Sequence, residues 1–158
     1  MPGTQAEVFQ LVSFEIADEE FGIDILKVQE IIRVLDVTRM PNAPAFIEGV
    51  INLRGKIVPV IDLRRRFNRQ PKENDGNTRI IVVELSGKTV GFLVDRVQEV
   101  IRVETTIIES PPDLVTNVQT RYITGVAKLN DRLLLLLDLD QILKADEQEA
   151  LVLKANSA

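Results

Sequence analysis

The 158 residues include no cysteine, no histidine and no tryptophan, and aromatic residues of any kind are scarce, with one tyrosine and six phenylalanines. Without cysteine there are no disulfides, no thiolate nucleophile and no cysteine-based zinc site. Without histidine the commonest general base, the commonest transition-metal ligand and every Ser-His-Asp arrangement are gone. Neither GxxxxGK[ST] nor GxGxxG occurs, so the usual phosphate-cradling loops are missing. The longest purely apolar run, Leu133 to Leu137, is far too short to span a bilayer. No basic-then-apolar leader opens the chain, which makes the cytoplasm the expected compartment. Basic charge is also in deficit. A net charge of −5 and a pI near 4.9 speak against nucleic acid and anionic membranes as partners. What remains for catalysis is carboxylate, lysine and serine chemistry; no metal or cofactor is expected.

What is present is ordinary for a globular protein, at 45% apolar and 27% charged residues, and it is organised as a repeat. FGIDILKVQEIIRV (Phe21–Val34) recurs 69 residues later as VGFLVDRVQEVIRV (Val90–Val103), with seven of fourteen positions identical. FIEGVINLRGKIVPVIDLRRRF (Phe46–Phe67) recurs 76 residues later as YITGVAKLNDRLLLLLDLDQIL (Tyr122–Leu143). Two matches in the same order make the chain two related halves, the second carrying an insertion around Thr105–Thr120.

Each half reads as strands. Val8–Ile16 and Arg79–Leu85 are apolar and β-branched and end at the turn-prone pairs Asp18-Glu19 and Ser86-Gly87. Gly49–Leu53 and Lys56–Ile61 flank Arg54-Gly55, while Gly125–Leu129 and Arg132–Leu137 flank Asn130-Asp131. Each pattern predicts a hairpin with a two-residue turn at positive φ. Each second strand then reaches Asp-Leu, at Asp62-Leu63 and Asp138-Leu139, where the aspartate is placed to cap a short helix; Gln141 sits where a capping box would put it. Many short strands with frequent turns predict an all-β fold of small barrels or a sandwich. Asn68–Thr78, broken by Pro71 and Gly76, reads as a linker. Pro59 inside an apolar strand predicts an edge or a bulge.

The run GVINLRGKIVPVIDLR (Gly49–Arg64), preceded by FGIDILKVQEII and VTRMPNAPAFIEGV, resembles the signature of the CheW family of chemotaxis coupling proteins, and the second half is similar to that family's C-terminal half. The resemblance covers about residues 9 to 143. It implies two similar, intertwined five-stranded SH3-like barrels with short helices, forming one domain over 8–145. Lobe one would cover about 9–68 and lobe two about 78–143, with peripheral tails at 1–7 and 146–158. It implies a non-catalytic adaptor whose partners are the regulatory domain of a chemotaxis histidine kinase and the cytoplasmic tip of chemoreceptors, in a membrane-proximal array without direct membrane insertion. A related chemosensory pathway, with pilus motility or another output, is the nearest alternative. A carboxylate-based enzyme site between the halves and an oligonucleotide-binding small barrel stand further off.

Five residues are candidates for the receptor- and kinase-binding surface. Turn chemistry explains Gly55, but it does not call for the guanidinium of Arg54, and the other half has Asn130 there; arginine at a hairpin tip suits bidentate contact with a partner. The resemblance adds Glu30, Val28 and Gly49. Each has a plain structural explanation: a local partner in Arg33 for Glu30, isolated exposure for Val28, and a need for a small residue at Gly49, which Gly125 matches. The basic cluster Arg64, Arg65, Arg66 and Arg69 reads as a solvated or intramolecularly paired face. Glu19-Glu20 and Asp138-Asp140 read as caps and surface charges.

Overall fold

The computed structural model describes residues 7–34, 36–43, 47–67, 69–70, 73–111 and 122–143. The tail beyond residue 143, and most of the second-half insertion, lie outside the described residues. Among the described residues eleven strands form two sheets. The first-half strands are β1 (Val8–Ile16), β2 (Glu19–Asp24), β3 (Val28–Arg33), β4 (Ile47–Leu53) and β5 (Lys56–Asp62). The second-half strands are β6 (Arg79–Leu85), β7 (Lys88–Val94), β8 (Arg96–Glu104), β9 (Ile108–Glu109), β10 (Ile123–Leu129) and β11 (Arg132–Leu137). Helix α1 (Leu63–Arg66) follows β5, and residues 139–143 are helical after β11.

One sheet runs β3-β6-β7-β5-β4 and the other β8-β1-β2-β11-β10-β9. Moving along the chain by one repeat turns the first order into the second, apart from the two-residue β9. The hairpin that opens each half is therefore built into the other half's sheet. The connections explain why. Within its own half, β1-β2 would have to take the place of β6-β7, which puts β3 parallel to β2 in one sheet. Only the 3-10 turn Ile25–Lys27 joins β2 to β3. Three residues reach about 10 Å, whereas returning along a six-residue strand takes about 20 Å. Asp95 alone joins β7 to β8, so the second half is under the same compulsion. Each barrel closes where the chain leaving β3 or β8 comes beside the hairpin, through the Thr38–Val50 bridge in one lobe and β9 on β10 in the other.

Three apolar clusters fill the molecule. The largest, around Phe14, Phe92, Leu63, Ile81 and Ile142, draws on both sheets and both short helices; each lobe adds its own, around Val58, Val60 and Val82 and around Leu11, Ala127 and Leu134. Asp62 Oδ1 accepts the amide of Arg64 at 3.0 Å, and Asp138 Oδ1 that of Asp140 at 3.0 Å, so both Asp-Leu corners cap their helices. The capping box does not form at Gln141, because the Asp138 amide it would bond already donates to the Tyr122 carbonyl at 2.8 Å.

Two local expectations shift. The first turn is Ala17-Asp18, both at positive φ (51° and 69°), one residue earlier than the sequence suggested. Asp95 Oδ2 accepts the Ala17 amide at 2.9 Å and holds the turn there. Pro59 lies inside its sheet rather than on an edge strand. It falls one residue before β5 begins its parallel pairing with β7 at Val60–Gly91, so its missing donor breaks no ladder bond to β7.

Candidate functional site

The β4-β5 hairpin turns on Arg54 (φ 51°) and Gly55 (φ 87°). Two successive left-handed residues suit a two-residue hairpin, and Asn52 Oδ1 secures the turn by accepting the Gly55 amide at 2.8 Å. This geometry projects Arg54 outward, its side chain 71% exposed, onto Glu30 of β3. The pairing is bidentate: Nη1 donates to Oε1 at 3.1 Å and Nη2 to Oε2. The hydrogen bond from Arg54 holds the Glu30 carboxyl below the usual glutamate range, and Glu30 in turn raises the Arg54 guanidinium. Among the described residues Glu30 is the only ion-pair partner of Arg54.

The other sequence candidates divide. Gly55 is exposed at the tip. Val28 is half-buried and packs on the central cluster; a bulge separates it from Glu30, so Val28 lies opposite Val83 and Glu30 opposite Val82, on the other face of the sheet. Gly49 is buried at a bulge in β4, and a Cβ there would meet the Thr38 carbonyl oxygen at 2.2 Å. The structure thus joins Arg54 to Glu30, and Gly49 lets the closing segment pass close to β4. Arg33, the partner sequence reasoning offered for Glu30, does not take that role: three residues along a strand put the two side chains on opposite faces.

Arg132 is the residue that sequence comparison missed. Glu99, the counterpart of Glu30, also has an arginine partner, Arg132 Nη2 at 3.0 Å, and Arg132 Nε lies 3.6 Å from Glu20. In the first lobe these two ties are divided, with Lys56 Nζ donating to Thr89 Oγ1 at 2.7 Å while Arg54 takes Glu30. A Glu–Arg tie from third strand to hairpin is therefore common to both lobes. The signal was the position of Arg132 two residues beyond Asn130, which a comparison of position with position passes over.

Apolar side chains lie exposed around this region. Ile57, just past the Arg54 tip, is 62% exposed, and Leu26, in the turn leading to Val28, is 87% exposed. Leu26 borders a shallow groove of about 310 Å³ lined also by Val8, Phe9, Ile25 and Arg102. The acidic pairs are engaged locally: Glu19 with Arg69, Glu20 with Arg132, Asp140 with Lys27 at 3.7 Å, and Asp138 as a cap. The basic cluster is likewise internal, with Arg64 on Asp62 and Asp95 and Arg66 over the Tyr122 ring at 5.8 Å. Among the described residues no group of three or more acidic side chains is arranged to hold a metal ion, and no helix is long and apolar enough to cross a membrane.

Residues 10–147 match the CheW-like domain. The chain belongs to this family. It is 43% identical over 138 residues to chemotaxis protein CheW of Klebsiella aerogenes, covering 87% of this chain and 83% of that one. With chemotaxis protein CheW of Treponema pallidum the identity is 36% over 149 residues, covering 92% and 88%. The crystal structure of the scaffolding protein TtCheW from Thermoanaerobacter tengcongensis superposes with a TM-score of 0.78 at 41% identity, over 84% of this chain and 90% of that one. The protein is accordingly a chemotaxis scaffolding protein and not an enzyme.

Proposed function

We propose that this scaffold couples the cytoplasmic tip of chemoreceptors to the regulatory domain of a chemotaxis histidine kinase, in a membrane-proximal cytoplasmic array, with Arg54 and Glu30 at the centre of the contact surface. The observation that carries the reading is an exposed hairpin-tip guanidinium held by a single carboxylate beside exposed apolar side chains. Arginine next to an apolar anchor is the composition of an interface hot spot. A bidentate pair at a tip can exchange its internal carboxylate for a partner's without unfolding anything. The groove bordered by Leu26, with Val8, Phe9 and Ile25 beside Asp24 and Arg102, offers a mixed apolar and charged track for a helical segment. Val28 opens the strand that carries Glu30, while Gly55 and Gly49 shape the hairpin and its base. A scaffold acts by fixing geometry and raising effective concentration, and it transmits a signal by favouring one kinase conformation.

The test is titration of wild type, Arg54→Ala and Asn130→Ala into kinase alone and into kinase with receptor fragments, with a melting curve for each. Arg54→Ala is expected to stay folded and to weaken assembly about thirtyfold, as truncating a hot-spot arginine does, and Asn130→Ala to have little effect. Glu30→Ala is expected to weaken receptor binding more than kinase binding. Assembly and kinase activation equal to wild type in Arg54→Ala would refute the assignment.

A further inference from the structure

The hairpin exchange makes this chain a fusion of two related halves wrapped as a strand-exchanged pair. Two identical first halves, from two copies of the chain, share enough sequence to wrap in the same way. Joining the halves in one chain already favours their pairing by effective concentration, and we propose that the buried Arg64–Asp95 pair adds a chemical preference of each first half for a second half.

Arg64, in α1 of the first half, is 3% exposed, and Asp95, in the β7–β8 corner of the second, is 6% exposed. Arg64 Nη1 donates to Asp95 Oδ1 at 3.3 Å, while Nε and Nη2 hold Asp62 Oδ1 and Oδ2 at 2.9 and 3.2 Å. The other Asp95 oxygen takes the Ala17 amide at 2.9 Å, so one carboxylate joins α1, the exchanged hairpin's turn and the corner between lobes. The repeat puts Asp140 where Arg64 stands and Leu26 where Asp95 stands. In the native pairing Arg64 meets Asp95, while Asp140 lies 3.7 Å from Lys27, the neighbour of Leu26.

Pairing like with like destroys this pattern. Between two first halves, Arg64 would face Leu26 and Lys27, losing its second carboxylate and gaining a cation. Between two second halves, Asp140 would face Asp95, with Arg96 alongside as the counterpart of Lys27. A buried charge that loses its partner is strongly destabilising, and specificity is the difference between right and wrong pairings. The contact is a buried arginine–aspartate pair on one side of the pseudo-twofold and a longer, partly exposed lysine–aspartate pair on the other, with the first half supplying the cation to both, so unlike halves match and like halves do not.

The test uses the full-length chain, whose lack of native cysteine permits clean cross-linking. Gln10 lies opposite Arg102 in the native register, and Arg33 opposite Arg79. Because Gln10 is the repeat counterpart of Arg79, wrapping of two first halves would put Gln10 of one copy opposite Arg33 of the other. In a Gln10→Cys/Arg33→Cys background, the wild-type pair is expected to give almost no disulfide-linked dimer on refolding. Arg64→Leu/Asp95→Leu, which removes both charges of the pair and leaves Asp62 with Arg65 Nε at 3.4 Å, is expected to raise that dimer about tenfold or more, equivalent to ~1.4 kcal/mol of lost preference. Arg64→Gln/Asp95→Asn, which keeps a polar side chain at each position and an acceptor for the Ala17 amide, should do the same. Monomeric variants with no added Gln10–Arg33 dimer would overturn the proposal. So would failure of both variants to fold, since Arg64 and Asp95 would then be required by their bonds to Asp62 and the Ala17 turn rather than for choosing a partner.

Discussion

Replacing Gly49 by alanine probes the closure of the first lobe. A Cβ at Gly49 would stand 2.2 Å from the Thr38 carbonyl oxygen and 2.8 Å from its carbon, and the residue is at φ +151°. The obstacle is backbone and cannot rotate away. Relief requires the 37–38 segment to lift, breaking the bonds from Thr38 N to Val50 O and from Val50 N to Thr38 O, both 2.9 Å. Two such bonds contribute about 2 kcal/mol, and an L side chain at an unfavourable positive φ adds about 1–2 kcal/mol. The expected loss is therefore about 3–4 kcal/mol, or roughly 6–16 °C in Tm at this chain length. Gly125→Ala is the comparison. There the nearest obstacle is the Ile108 Cγ2 methyl at 2.7 Å, which a displaced rotamer relieves for about 1 kcal/mol. Thermal and urea unfolding of both variants decides the matter. A Gly49→Ala protein melting within about 2 °C of wild type, or below which Gly125→Ala falls, would refute the argument that Gly49 serves closure.

The Glu30 carboxyl should titrate below the ordinary glutamate range by NMR and return to that range in Arg54→Ala. Because its folded pKa is the lowered one, the pair stabilises the protein at neutral pH and the contribution disappears as pH falls through that value. Arg132→Ala should lower Tm more than Arg54→Ala, since Arg132 ties β11 to both Glu20 and Glu99; equal melting curves would contradict the difference drawn between the two lobes. Asp62→Ala removes the α1 cap and one of the two carboxylates on buried Arg64, and should cost about 3–5 kcal/mol in a urea titration; a change below about 1 kcal/mol would show that Arg64 is satisfied without it.

The strands and hairpin tips were legible because turn chemistry and apolar, β-branched composition are local signals. β1, β6 and β11 appear with the boundaries that composition and flanking turn residues suggested, and both hairpins turn where Arg54-Gly55 and Asn130-Asp131 stand. Pairing between strands was less accessible, since similarity between halves says nothing about which hairpin enters which sheet. The shortness of Ile25–Lys27 and the single residue at Asp95 carried that information, but as a constraint on reach rather than as a motif. The Ala17-Asp18 turn was misplaced because its determinant, Asp95, lies 78 residues away. Arg54 was identifiable as an unusual tip residue; its link to Glu30 depends on barrel closure and could not be seen from spacing along the chain.

The exchange of hairpins also governs how the molecule comes into being. While the N-terminal half is being synthesised, β1 and β2 have no sheet to join, because their neighbours β8 and β11 have not yet been made. The first lobe likewise waits for β6 and β7, and the second is complete only when Leu137 has been added. At about 5–20 residues per second, roughly 6–23 seconds pass between completion of β2 and that of β11, with apolar strands exposed on the ribosome. Neither lobe can form alone, so unfolding should be a single cooperative event, and folding should carry the slowness of long-range strand pairing. A nascent chain of this kind is a natural client for a holdase chaperone until its last hairpin emerges.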